Sequence, residues 1–125
     1  MTALSIIVPA LNESAGIVRA VAAAWALEPC EVLVVDGGST DDTAARAAAA
    51  GATVLNAPRG RAAQQNAGAA RATGEVLLFL HADCWLVPEA REQLDTALAD
   101  PATVAGAFRQ RIDAPGAAYR LIECG

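Results

Sequence analysis

Apolar runs of strand length alternate along the chain with longer alanine-rich stretches of helical period. The first run, Ser5 to Val8, is ended by Pro9. Asn12 then offers an N-cap for a helix, and Ile17, Val18, Val21, Ala24 and Trp25 recur at helical spacing, with Trp25 read as core. Glu31 to Val35 reads as a second buried strand, closed by Asp36-Gly37-Gly38. Ser39 and Asp42 stand three apart in the form of a capping box, predicting a helix to about Ala50 with Gly51 as its stop. Thr53 to Leu55 reads as a third strand, Arg61 to Ala72 as a helix, and Glu75 to Leu80 as a fourth strand. Pro88 to Leu98 reads as a helix with proline in its first turn, Val104 to Ile112 as a fifth strand, and Ala117 to Glu123 as the start of another helix.

Strand and helix in alternation predict an α/β fold with a mostly parallel sheet covered on both faces. In such a sheet ligands bind beyond the carboxyl ends of the strands, where the strand order reverses. Three predicted strands end in polar clusters: Pro9-Ala10-Leu11-Asn12-Glu13, Asp36-Gly37-Gly38-Ser39 and His81-Ala82-Asp83. The fold rule gathers these on one rim. Carboxylates there accept hydrogen bonds from ribose hydroxyls or a base N–H and bind hard cations. In an extended backbone His81 and Asp83 point to the same side, which suits joint service to one ion. Cys84 would point the other way and is set aside as a ligand.

Arg59 and Arg61 stand at a predicted helix start, where the macrodipole disfavours cations unless an anion is bound. A diphosphate would satisfy both the helix and the guanidinium groups, with Gln64, Gln65 and Asn66 in reach to add hydrogen bonds. Each polar residue also has a plain structural reading. Asp41 and Asp42 read as acids at a helix N-terminus, Asp36 and Asp83 as turn acids, Asn12 as an N-cap and Glu13 as a first-turn acid.

The 125 residues fit one domain with a real core, and 54% hydrophobic against 18% charged residues excludes a disordered chain. Alanine fills 32 positions and lysine none, which reads as compositional bias. A net charge of −5 argues against general nucleic-acid binding. No apolar stretch reaches the ~18 residues of a membrane span, and the N-terminus has no signal-peptide form. The expected location is the cytoplasm, with association at a membrane surface left open. Cys30, Cys84 and Cys124 have no CxxC spacing and read as free thiols.

The segments SIIVPALNE, VLVVDGGSTDDT, GRAAQQNAGAARATGEVLLFLHAD and the later GAF together resemble glycosyltransferase family 2. The resemblance is to a bacterial subgroup with HAD in place of the commoner DxD, and it covers nearly all of residues 1–125. It implies a GT-A, Rossmann-like fold and inverting transfer of a sugar from a nucleotide-diphosphate donor to an unknown acceptor. Carried over by position, it implies nucleotide contacts at Pro9, Ala10, Leu11, Asn12, Glu13, Asp36, Gly38, Arg59, Arg61, Asn66 and Ala82. It further implies a divalent metal, Mg or Mn, at Asp83 with His81. His81 stands where many relatives carry aspartate. Family members continue beyond this point into an acceptor-binding half with the catalytic base, so the expectation is a donor-binding half, incomplete at the C-terminus.

Other classes remain in view. A non-catalytic nucleotide-binding or interaction module of the same fold is the main alternative. The apolar residues Ala117, Ala118, Leu121 and Ile122 would want a cover, which points to self-association as a homodimer. A nicotinamide-dependent oxidoreductase is disfavoured because no GxGxxG follows the first strand.

Overall fold

The computed structural model describes residues 3–83, 86–99 and 123–124. The elements run β1 (Leu4–Ala10), α1 (Ile17–Trp25), β2 (Glu31–Asp36), α2 (Thr43–Ala49), β3 (Thr53–Asn56), α3 (Arg61–Arg71), β4 (Val76–Leu80), α4 (Ala90–Leu98) and the two-residue β5 (Glu123–Cys124). All pairings are parallel and the sheet order is β3-β2-β1-β4-β5. The fold is thus α/β with a parallel sheet, as the residue pattern predicts, and Rossmann-like, as the resemblance implies.

Side chains alternate across the central strand, so β1 feeds two cores. Leu4, Ile6 and Val8 face α1, α2 and α4, packing with Ile17, Val21, Val32, Val34, Ala47, Leu78 and Leu94. Ile7 faces the other way, with Leu33 and Val35, against Ala67 and its neighbours on α3. At Gly68 a Cβ would stand 2.5 Å from the Ile7 Cγ2, so α3 lies directly on β1 only because that residue has no side chain.

Pro9 lies inside β1, although the apolar pattern ends the strand before it. The sheet tolerates it because pairing of β1 with β4 stops at Ile7 opposite Phe79, while pairing with β2 continues to Ala10 opposite Asp36. Beyond Ile7 the chain therefore leaves β4 and stays with β2. The order reverses between β1 and β4, which makes this opening the topological switch point.

Three local expectations are corrected. Helix α1 begins at Ile17 after Gly16, not after Asn12, whose side chain accepts a hydrogen bond from the Thr40 N–H at 2.8 Å. Helix α2 begins at Thr43 after Asp42, and Ser39 makes no capping box because its hydroxyl bonds Asp36 and Asn12. Trp25 is 39% exposed and Val18 47%. Both lie about 80–100° round the helix from Ile17, at the flank of the buried stripe. Gly51 does stop α2, as expected.

The predicted strand at 104–112 and the residues offered for self-association lie outside the described residues. Of the predicted helix ending at Glu123, that residue itself is in β5. Among the described residues no helix is long and apolar enough to cross a membrane. Cys30 is free and exposed.

Candidate functional site

Two loops leave the carboxyl ends of β1 and β2 and lock to each other. Three consecutive backbone N–H groups of the first loop donate to side chains of the second. Asn12 bonds the Ser39 hydroxyl at 2.8 Å, Glu13 the Thr43 hydroxyl at 2.9 Å, and Ser14 the Asp41 carboxylate at 3.4 Å. In return the Asn12 side-chain oxygen accepts the Thr40 N–H, and the Arg46 guanidinium reaches the Ser14 carbonyl at 3.3 Å. Asn12 takes a left-handed φ of 53°, a conformation asparagine tolerates. The STDDT segment thus supplies acceptors that the N–H groups of Asn12, Glu13 and Ser14 would otherwise lack.

Asp36 is 4% exposed, and both of its carboxylate oxygens serve its own turn. One accepts the N–H groups of Gly38 and Ser39, at 3.1 and 2.9 Å, and the other accepts the Ser39 hydroxyl. A carboxylate offers about four acceptor positions, so one further bond is open on the second oxygen. The Asp41 carboxyl is held below its ordinary value of 3.8, chiefly by the Thr43 hydroxyl, against a smaller upward push from burial.

On the other side of the opening, Gly60 precedes α3 with φ 135°, a backbone state that side chains rarely adopt. Arg59 and Arg61 flank it and are exposed. Gln64 lies one helical turn on. The sequence reading aims it at a ligand phosphate, but the structure turns its amide inward, to the Ala10 and Val35 carbonyls at 3.0 and 2.9 Å. Gln64 and Gly68 are four residues apart on the buried face of α3, and that spacing was the available sign that Gln64 faces the sheet.

At the end of β4 the chain turns instead of staying extended, and His81 Nδ1 meets a carboxylate oxygen of Asp83 directly. The Asp83 side chain is 71% exposed and that of His81 34%. Among the described residues no group of three or more histidine, cysteine, aspartate or glutamate side chains assembles into a metal site. The Asp83 carboxylate suits a hard cation that keeps waters and takes its remaining oxygens from substrate phosphates, while the His81 imidazole, a ligand for softer metals, bonds that carboxylate.

A cavity of about 270 Å³ opens between these pieces. Of the predicted residues, Pro9, Ala10, Leu11, Glu13, Arg59, Arg61 and His81 line it, together with Gly60 and Gln64. Asn12, Gly38 and Asp83 stand on the strand-end loops and Asp36 ends β2, and none of the four forms its wall. Two predicted contacts are not brought in. Asn66 is exposed on α3 outside the lining, and Ala82 is fully buried, its carbonyl 3.8 Å from where a Cβ of Gly16 would stand.

A larger cavity, about 590 Å³, lies beside Glu28 and is lined by Pro88, Glu89, Arg91, Glu92, Asp95 and Thr96. Its four carboxylates against one guanidinium would repel a phosphate, and no strand carboxyl end opens into it. The smaller cavity combines the switch point, two arginines and a helix start with one carboxylate, Glu13, a charge balance that suits an anion better.

Known proteins share this fold. Residues 5–124 match the Glycosyl transferase family 2 profile. The undecaprenyl-phosphate 4-deoxy-4-formamido-L-arabinose transferase of Sodalis glossinidius (strain morsitans) is 34% identical over 120 residues, covering 86% of this chain and 37% of that protein. Glucosyl-3-phosphoglycerate synthase from Mycobacterium tuberculosis, crystallised with Mn2+, UDP and glucosyl-3-phosphoglycerate, superposes with a TM-score of 0.72 at 27% identity, over 84% of this chain and 42% of that one. The same synthase with Mg2+ and UDP gives a TM-score of 0.73 over the same shares. The chain spans less than half the length of these relatives. Sequence profile and fold agree, and the chain belongs to glycosyl transferase family 2, with a GT-A fold.

Proposed function

We propose that the crevice between the carboxyl ends of β1 and β4 binds the nucleotide-diphosphate part of a sugar donor, and that the chain serves sugar transfer from it, with inversion, to an acceptor. The supporting observation is the cavity of about 270 Å³ that joins Arg59, Arg61 and His81 to the β1 loop. The diphosphate is assigned to Arg59, Arg61 and the start of α3, where guanidinium charge and the helix dipole act together. The nucleoside is assigned to the Pro9–Glu13 segment, with the open acceptor position of Asp36 facing a ribose hydroxyl or a base N–H.

Asp83, with His81 beside it, would hold a divalent cation, which when bound supplies positive charge to the departing diphosphate. The residues of this chain do the rest by positioning. The interlocked loops fix the nucleoside wall, and the arginines neutralise phosphate oxygens as charge develops on them. The neighbours crystallised with UDP and Mn2+ or Mg2+ lend this reading weight.

Calorimetric titration of the chain with UDP and GDP, each with and without Mn2+, tests the reading. The expected result is uptake of at least one nucleotide, strengthened tenfold or more by Mn2+ and losing that strengthening in Asp83→Ala. Absence of uptake of either nucleotide under both conditions would overturn it and favour the interaction module.

A further inference from the structure

Gln64 is 5% exposed, yet it carries an amide where leucine or methionine would fill the same space. A buried amide is costly unless every polar atom is matched. Here each is matched. The two N–H groups on Nε2 donate to the carbonyls of Ala10 at 3.0 Å and Val35 at 2.9 Å. Oε1 accepts the Gly60 N–H at 3.2 Å, and the Gly60 carbonyl accepts the Gln64 backbone N–H at 2.9 Å. One side chain therefore joins the last residue of β1, the end of β2 and the residue that opens α3.

The neighbouring backbone is shaped to receive this amide. A Cβ on Gly37 would stand 2.8 Å from the Gln64 Cδ and 2.9 Å from its Oε1, so the amide lies against bare main chain. Gly60, held by Gln64 in its unusual backbone state, sits between Arg59 and Arg61, and all four residues line the same cavity.

We propose that Gln64 is a positioning residue for the donor site. It fixes the Arg59-Gly60-Arg61 turn at a set distance from the carboxyl ends of β1 and β2, so that both arginines face the diphosphate. It acts through Gly60, since its own amide hydrogens are already committed to the two carbonyls. The proposal rests on reading the cavity as the donor site, and its test separates the two claims.

Three variants are compared with the unaltered chain: Gln64→Met, which keeps the volume and loses all three side-chain bonds; Gln64→Glu, which keeps an acceptor for Gly60; and Gln93→Leu, an exposed control on α4. Hydrogen exchange is followed without ligand, and UDP with Mn2+ is titrated well below each melting midpoint. In Gln64→Met, exchange in residues 57–63 is expected to rise at least tenfold with α2 unchanged, and UDP affinity to fall tenfold or more. Gln64→Glu should protect the Gly60 N–H better than Gln64→Met, and Gln93→Leu should match the unaltered chain in both measurements. Unchanged exchange at 57–63, an equal rise in α2, or full UDP affinity in Gln64→Met would each overturn the proposal. Should Gln64→Met fail to fold, Gln64→Glu decides through the two bonds it loses, to the Ala10 and Val35 carbonyls that tie the turn to the strands: unaltered UDP affinity together with unaltered exchange at 57–63 overturns the proposal. Should the unaltered chain take up no UDP, the donor-site reading falls, and the exchange measurement alone decides whether Gln64 holds the turn.

Discussion

Glu31 opens β2 with one carboxylate oxygen accepting three hydrogen bonds, from the Ser5 hydroxyl at 2.6 Å and from the Thr73 N–H and hydroxyl at 2.6 and 3.0 Å. Burial pushes its carboxyl upward, but these bonds and the Arg71 charge together hold it below its ordinary value of 4.5. A carboxyl whose folded pKa is depressed contributes stability above the unfolded value and loses it as pH falls through the folded one. Urea unfolding followed from neutral pH down past 4.5 should therefore show falling stability, and Glu31→Gln should flatten part of that fall. An identical pH profile in the variant would show that the network contributes nothing. Gly68→Ala tests the close approach of α3 to β1. Alanine gains about 1 kcal/mol of helix propensity, but overpacking costs about 1–3 kcal/mol. With a contact of 2.5 Å to a buried branched residue the clash should win, giving a net loss in chemical denaturation. At this scale the sequence was legible where chemistry is local. Gly51 could be read as a helix stop, and the Asp36 turn was anticipated as one of two readings. The inward turn of Gln64 shows in the sequence only as its four-residue spacing from Gly68, a weak sign because which face of α3 meets the sheet depends on tertiary packing.

The elements themselves follow from hydrophobic period, and strands β1 to β4 and helix α3 lie within two residues of their predicted bounds. The starts of α1 and α2 were misplaced for a shared reason. Asn12 and Ser39 have the chemistry of N-caps, but each spends its side chain on the opposite loop, a contact 27 or 28 residues away in sequence. That exchange makes the two loops one structural unit. Thr43 is its centre: fully buried, accepting the Glu13 N–H and donating to Asp41. Thr43→Val keeps the shape and orphans the Glu13 N–H, so a loss of about 1–3 kcal/mol in denaturation is expected. The nucleotide wall at Pro9–Glu13 should loosen with it, read as weaker UDP binding well below the melting midpoint. A stability loss with unaltered UDP affinity would separate the loop lock from the site.

For the whole molecule, strand order decides where chemistry is possible. The order β3-β2-β1-β4-β5 reverses between β1 and β4, and the polar ends of those strands with the Arg59–Arg61 turn surround the resulting crevice. The rim was legible in sequence because three strands end in polar clusters. The placement of Asn66 and Ala82 outside the cavity lining was not, since it depends on helix rotation and on burial. Charge balance also distinguishes the two cavities. Replacing Arg59 and Arg61 together by alanine should weaken UDP binding more than uridine binding, because only the former carries the phosphates. Equal losses for both ligands would place the arginines away from the diphosphate. The most direct test of the account is a crystal structure of the chain grown with UDP and Mn2+. It should show the diphosphate beside Arg59 and Arg61, with the metal at Asp83. Nucleotide seated instead in the acidic cavity beside Glu28 and Arg91, with the crevice between β1 and β4 vacant, would contradict it.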